Sequence, residues 1–296
     1  MPPAWPALPL DVWRDTYDTL HMWSQVVGKV ALATTPRVNH FWNIALQVTS
    51  RGLMTHPLAF DGRVFTLAFD FVDHDLVIQC SDGGSERLPL APQTVADFHR
   101  ELMNRLKKLG LDVRIWTMPV EVQNPIRFEE DVVHKSYDRE PVEAFHQALV
   151  GMTPVFEAFR ARFIGKSSPV HFFWGSFDLA STRFSGRRAP ERPGADAVTR
   201  ESYSHEVISH GFWPGGGAVE EPAFYAYAAP EPTGLRDATA RPAAAGYNIA
   251  LSEFILPYEA VRTTSRPGDE LTAFLESTYD AAANLAGWNR GELERG

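Results

Sequence analysis

The segment TTPRVNHFWNIALQVTSR (34–51) is echoed by SSPVHFFWGSFDLASTR (167–183), and this internal echo constrains the fold more than any other feature of the chain. Each copy is preceded by a helical pattern and followed by strand patterns and a further helix. An order of helix, strands, helix that occurs twice implies two related α+β halves. Helices that bracket runs of strands favour mostly antiparallel sheets over a doubly wound parallel one. Pro119, Asn124-Pro125 and a charged run interrupt the pattern, so the division is placed at 1–125 and 126–296.

Two alignments of the echo compete. Matching the tryptophans pairs Trp42 with Trp174, and Thr49-Ser50-Arg51 with Ser181-Thr182-Arg183. Matching His-Phe pairs His40 with His171 and Trp42 with Phe173. A one-residue slip exchanges the two faces of a strand, so only one register can hold. Alternation favours the second: Trp42, Leu46 and Val48 meet Phe173, Phe177 and Leu179, whereas the first sets Asp178 against Leu46. That choice needs an extra residue before Arg183, read as a β-bulge. Trp174, Ser176 and Asp178 then lie opposite the core face, and Arg183 joins them past the bulge. The first half has only Asn43, Ala45 and Gln47 there, so the gain of an indole and a carboxylate marks the second half as the place for a site.

The local patterns are as follows. Trp13, Tyr17, Leu20, Trp23, Val27 and Val30 recur at helical spacing and predict an amphipathic helix over 11–31. Residues 40–49 alternate as a strand. Residues 63–72 and 76–80, joined by Asp73-His74-Asp75, read as a hairpin. A helix over 94–109 ends at Gly110, with Lys107 and Lys108 near its C-terminus. Residues 112–117 read as a strand. In the second half, Asp138 caps a helix, and Thr153-Pro154 looks like the start of another. Strands are expected at 170–182, 203–210, 223–228 and 247–256, with a closing helix over 269–286. The Pro/Gly/Ala-rich stretches 186–197 and 229–246 read as loops.

Composition narrows the partners. A net charge of −9 repels phosphate backbones, which argues against nucleic-acid binding. The single cysteine, Cys80, permits neither an internal disulfide nor a cysteine-rich zinc site. The opening MPPAWPALPLDVW has no basic leader, and no apolar run reaches the roughly 18 residues of a membrane span. The expectation is a soluble, cytoplasmic protein without a membrane partner. Nothing names a cofactor, and the oligomeric state is not readable.

Chemistry-bearing residues concentrate in 171–217. His205-Glu206 and His210 superficially suggest zinc, but histidines five apart cannot share the helix face that the metalloprotease motif needs. On a strand they point to opposite faces, so at least one lies outside any common pocket. No metal site is assigned. Arg183, Arg187, Arg188 and Arg192 form the one basic cluster, suited to holding an anion. Gly215-Gly216-Gly217 lacks the Lys and Ser/Thr of a phosphate loop and reads as a mobile turn presenting Phe212 and Trp213. The Asp70, Asp73, His74 and Asp75 group is explained by a hairpin tip. No nucleophile elbow or dinucleotide fingerprint is present.

The blocks HFFWGSFDLASTRFSGRRAP (171–190), SHEVISHGFWPGGG (204–217) and EPAFYAYAAPEP (221–232) resemble signatures of an uncharacterised bacterial family, a domain of unknown function. HFWNIALQVTSRGLMTHPL and FTLAFDFVDHDLVI fit its first half. The resemblance implies no catalytic residues. From the residues themselves, the expectation is a small-molecule binding protein or enzyme with a pocket on the second-half sheet, where the basic cluster would suit an anionic ligand. Asp178, His205 and His210 are the acid–base candidates. His171, Trp174, Arg183, Arg187, Tyr203, Glu206 and Trp213 are the ligand-binding candidates. The rival reading is a non-catalytic interaction module in which the aromatics are core or interface.

Overall fold

In the computed structural model, which describes residues 5–216 and 219–295, helix α1 (Leu10–Thr34) is enclosed on nearly all sides. The apolar stripe predicted for it explains only one of them. Both halves of the chain pack on the rest. Trp23 stacks on Phe98 at 4.7 Å and on Tyr137 at 5.5 Å, while Tyr17 meets Phe177 at 5.1 Å. A helix buried all round forms the centre of a core. Accordingly, most of the buried apolar residues between Leu8 and Trp288 belong to one cluster, with Phe184, Val207 and Ala229 forming a small one apart.

The first sheet contains β1 (Gln47–Val48), β2 (Gly52–Met54), β3 (Leu58–Phe60), β4 (Arg63–Asp70), β5 (Asp75–Cys80) and β6 (Ser85–Pro89). Its order is β1-β2-β4-β5-β6, with β3 also paired to β4, and every pairing is antiparallel. The predicted hairpin is β4–β5, with Phe65, Leu67 and Phe69 buried. Helix α2 (Val95–Lys108) starts where Thr94 Oγ1 accepts from the Asp97 amide at 3.0 Å. No strand forms at 112–117. There a backbone bond from Val113 N to Leu111 O (2.9 Å) folds the chain back on itself, against its alternating pattern.

The second half begins with α3 (Arg139–Ala161), capped by Asp138. It runs straight through Pro154, contrary to the predicted restart. The carbonyl deprived of its donor is that of Val150, a residue 37% exposed, so water can serve it. The second sheet contains β7 (His171–Phe173), β8 (Asp178–Arg188), β9 (His205–Trp213), β10 (Ala223–Ala229), β11 (Gly246–Asn248) and β12 (Glu253–Pro257). Its order is β11-β12-β10-β9-β8-β7, again antiparallel. Helix α4 (Ala197–Ser202) lies between β8 and β9, and α5 (Tyr258–Arg262), α6 (Pro267–Leu285) and α7 (Arg290–Leu293) close the chain. The protein is therefore α+β, and its two six-stranded sheets fit two pseudo-repeated halves. Among the described residues no helix is long and apolar enough to cross a membrane.

Three expectations around the echo are overturned. Residues Asn39–Ile44 form a 3-10 turn instead of a strand, because His40 (φ 56°) and Phe41 (φ 59°) adopt left-handed backbone. The turn is tied to α4 by His40 N donating to Glu201 Oε1 (3.2 Å) and His40 Nδ1 donating to the Glu201 carbonyl (2.9 Å). Residues 170–182 are not one strand: β7 and β8 form a hairpin whose turn includes Phe177 at φ 55°. The irregularity in β8 falls between Phe184 and Arg188, after Arg183 and not before it. The echoing segments instead touch each other. Leu46 and Phe172 exchange two backbone hydrogen bonds of 2.7 Å, which join the β1 edge of one sheet to the β7 edge of the other.

Candidate functional site

Alternation along β8 to β12 sorts side chains between two faces of the second sheet. Helices α3 and α6 pack on one face, where Ser181, Arg183, Ile208, His210, Phe212 and Phe224 point. The outer face carries Asp178, Thr182, Ser209, Trp213, Tyr225 and Tyr227. At one end of it, Trp42, Tyr203 and Tyr227 pack over Phe184, Val207 and Ala229. At the other end lies a polar constellation built around Asp178.

The β7–β8 turn positions Asp178 through apolar anchors on both sides. Trp174 is buried against Gly28 of α1, where an added Cβ would sit 2.1 Å from its ring, and its Nε1 donates to Ile44 O at 2.9 Å. Phe177 is enclosed by Phe172, Phe145, Tyr17 and His21. Between them, His21 Nε2 donates to the Gly175 carbonyl at 2.9 Å. Trp174 is therefore an anchor of the turn and does not share a wall with Trp213.

Asp178 is buried and accepts from Ser176 Oγ on one oxygen and from Tyr225 Oη, at 2.5 Å, on the other. Tyr225 belongs to β10, with β9 in between, so its ring must cross a strand to reach the carboxylate. Gly211 makes the crossing possible: a Cβ there would lie 2.2 Å from Tyr225 Cζ and 2.3 Å from the Leu179 carbonyl. Trp213 stacks on Tyr225 at 4.3 Å, and Tyr227 Oη lies 3.0 Å from Tyr203 Oη.

The electrostatics follow from this enclosure. Burial raises the Asp178 carboxyl above the usual carboxylate range, against the opposing pull of the Ser176 and Tyr225 hydrogen bonds. Glu253 on β12 is pushed up to about 7 by burial and then by the field of Asp178, and its Oε2 is buried without a partner. Glu121, whose Oε1 lies 2.6 Å from where a Gly175 Cβ would be, is raised for the same two reasons. The Tyr225 and Tyr227 phenols are raised by burial, so both stay protonated donors. The assembly can exchange a proton at neutral pH through Glu253 and can offer stacked rings to a ligand.

The other sequence-named residues are dispersed. His205 is on the outer face at its far end, with Nδ1 3.0 Å from Ser204 Oγ. His210 is on the helix face: Thr278 Oγ1 donates to Phe274 O, so it accepts from His210 Nε2 at 3.1 Å and leaves Nδ1 without a partner. Arg183 is also on the helix face, five residues along β8 from Asp178, so the two never meet. The expected grouping of Asp178, His210 and Arg183 is corrected accordingly. His171 is buried beside Trp42 and Phe173 with neither ring nitrogen bonded.

Arg187 and Glu206 bind one another, with Nε and NH2 donating to Glu206 Oε2 at 2.8 and 2.6 Å. Arg187 also holds the Ala286 and Gly287 carbonyls at the end of α6. Beside this clamp is a cleft of about 340 Å³ lined by Glu206, Val207, Pro230, Glu231, Leu285 and Trp288. Gly215 and Gly216 pack against Leu10 and Tyr17, while Gly217 of the same run lies outside the described residues. Among the described residues no group of three or more His, Cys, Asp or Glu is placed to hold a metal ion.

Sequence reasoning missed Tyr225, Tyr227, Glu253 and Glu121. Alternation in EPAFYAYAAPEP sets both tyrosines on one face, which was a usable signal. Glu121 stands in an irregular segment, and nothing in the sequence links it to Asp178.

These features define a class: an α+β protein of two antiparallel sheets around a shared central helix, with a buried carboxyl–tyrosine pair on the second sheet. The chain matches the family of unknown function DUF5996 over residues 5–295 and belongs to it. No curated protein and no solved structure matches it.

Proposed function

We propose that the protein binds a small molecule on the outer face of its second sheet and that Glu253 exchanges a proton with it. The observation that carries this reading is the buried, unpartnered Glu253 Oε2 on the same face as the Asp178–Tyr225 pair and the Trp213 stack. A buried acceptor left without a donor costs about 1–3 kcal/mol, which a ligand N–H or O–H would recover. Asp178, Glu253 and Glu121 make this end acidic, so the ligand is a neutral or cationic molecule with amine or hydroxyl donors and a surface that stacks on Trp213. Arg183 and Arg187 do not reach this end, which argues against the anionic ligand expected from the basic cluster.

Thermal shift with a panel of amines, polyols and sugars tests the reading, since a ligand that binds only the folded state raises its stability. At least one such class stabilises the parent chain, and Glu253→Gln abolishes the shift. A flat response across the panel, or an undiminished response in Glu253→Gln, refutes it and favours an interaction module.

A further inference from the structure

The opposite face of the same sheet holds a buried cation that nothing in the site above uses. Arg183 is 3% exposed, with its guanidinium 3.5 Å from the Phe159 ring centroid and 4.2 Å from that of Tyr279. One terminal nitrogen donates to the Phe159 carbonyl, but the buried Nε has no partner. Beside it lies a cavity of about 110 Å³ between α3, α6 and the C-terminal segment. Arg162, Arg290 and Arg295 also line it.

The carboxylates of this cavity are already engaged. Glu276 is held by Arg162, and Asp280 by Arg290 at 2.7 Å. Glu294 accepts from Arg290 Nε at 2.6 Å and from Tyr279 Oη at 2.8 Å. Four arginines thus face three carboxylates, and among the described residues neither Arg183 nor Arg295 has a carboxylate within salt-bridge range. The α3 C-terminus would repel an anion if its carbonyls were bare, but Arg183 caps Phe159 O and Arg295 Nε caps Ala161 O at 2.9 Å. Aromatic faces offset part of the cost of a buried guanidinium. They cannot accept the Nε–H in its plane, and a water would accept that proton without balancing the charge.

We infer that this cavity binds a small tetrahedral oxyanion of phosphate size, with Arg183 Nε as its buried donor and Arg295 and Arg162 at its rim. The site is independent of the acidic outer face. It suits a charged group with several acceptor oxygens, because guanidinium N–H groups match such oxygens in direction and charge.

The test is thermal denaturation of the full chain in rising inorganic phosphate against chloride at equal ionic strength, with phosphorus-31 NMR line broadening of the phosphate as a direct measure of binding. The parent shows a saturable, phosphate-specific rise in Tm, and Arg183→Gln loses it. Should Arg183→Gln fail to fold, the exposed Arg295→Ala decides: it weakens phosphate binding roughly tenfold, as expected for one lost charge-assisted bond. Equal responses to phosphate and chloride in the parent overturn the inference. So does a folded Arg183→Gln or Arg295→Ala that binds phosphate as the parent does.

Discussion

Asp178 and Arg183 stand on one strand, yet their surroundings differ as much as any two places in the molecule. On the helix face, Arg183 and His210 are buried beneath α3 and α6. Aromatic rings and the Phe159 carbonyl meet only part of the Arg183 guanidinium, whose Nε is left without a partner, while a neutral His210 donates to the Thr278 hydroxyl. On the outer face, Asp178 is linked across a neighbouring strand to Tyr225, and its field extends to Glu253 and Glu121. Strand alternation alone separates a basic cavity from an acidic face. A sheet whose two faces carry opposite charge can serve two ligands of opposite sign without either interfering with the other.

The sharpest way to break this contrast is at Gly211, the point where the outer-face pair crosses β9. Gly211→Ala drives a methyl into both the Tyr225 ring and the Leu179 carbonyl, and a backbone atom cannot step aside. Overpacking of this kind costs about 3 kcal/mol, read as a lower urea midpoint. If the loss is below about 0.5 kcal/mol, comparable to an ordinary surface substitution, Tyr225 does not cross the strand as described.

Tyr225→Phe cuts the same link more gently. It leaves one Asp178 oxygen buried without its donor, a loss of about 2 kcal/mol. It also removes a hydrogen bond that favours the ionised carboxyl, so Asp178 titrates higher still, which carboxyl NMR would show. An unchanged Asp178 titration would mean that burial alone sets its proton affinity.

His171 and His210 compare the faces under acid. Both are held down to about 3 by burial, against an ordinary value of 6.5. The unfolded chain therefore binds more protons between these values, and stability is lost as pH falls from 6.5 toward 3. His171 has neither nitrogen bonded, whereas His210 donates to Thr278. His171→Leu should raise stability by about 1 kcal/mol at neutral pH and flatten the acid limb. His210→Leu flattens the same limb but strands the Thr278 oxygen. Identical effects of the two substitutions would contradict this difference.

How much of this could be read beforehand depended on whether local signals agreed with tertiary contacts. Thr94, Gly110 and the alternation of 63–80 dictated α2 and the β4–β5 hairpin, since each needs only near neighbours. The strand read at 40–49 failed over 40–44, because a bond from His40 to Glu201, distant in sequence, fixes a left-handed backbone that alternation cannot reveal, and survives only as Gln47–Val48 of β1. Asp178 was identified for a partly mistaken reason. Its prominence came from a continuous strand with a bulge before Arg183, whereas it closes a hairpin and Arg183 turns away. Parity did correctly separate His205 from His210. Glu253 was unreadable because its significance lies in Asp178 and Tyr225, which reach it only across strands.

The remaining effect is the one most specific to the outer face. Glu253 titrates near 7 in the folded chain and at its ordinary value of 4.5 when free. Between those values the folded state keeps a proton that the unfolded state has released. Stability therefore falls as pH rises from 4.5 to 7, and the deficit persists above that range. Glu253→Gln removes this contribution, so its Tm should decline less than that of the parent across the window and equal or exceed it at the alkaline end. The decline does not vanish, because Asp178 and Glu121 are raised in the same direction and remain. Parallel curves for the two chains would show that Glu253 is as well solvated as any surface carboxylate, and the acidic face would then reduce to the Asp178–Tyr225 pair alone.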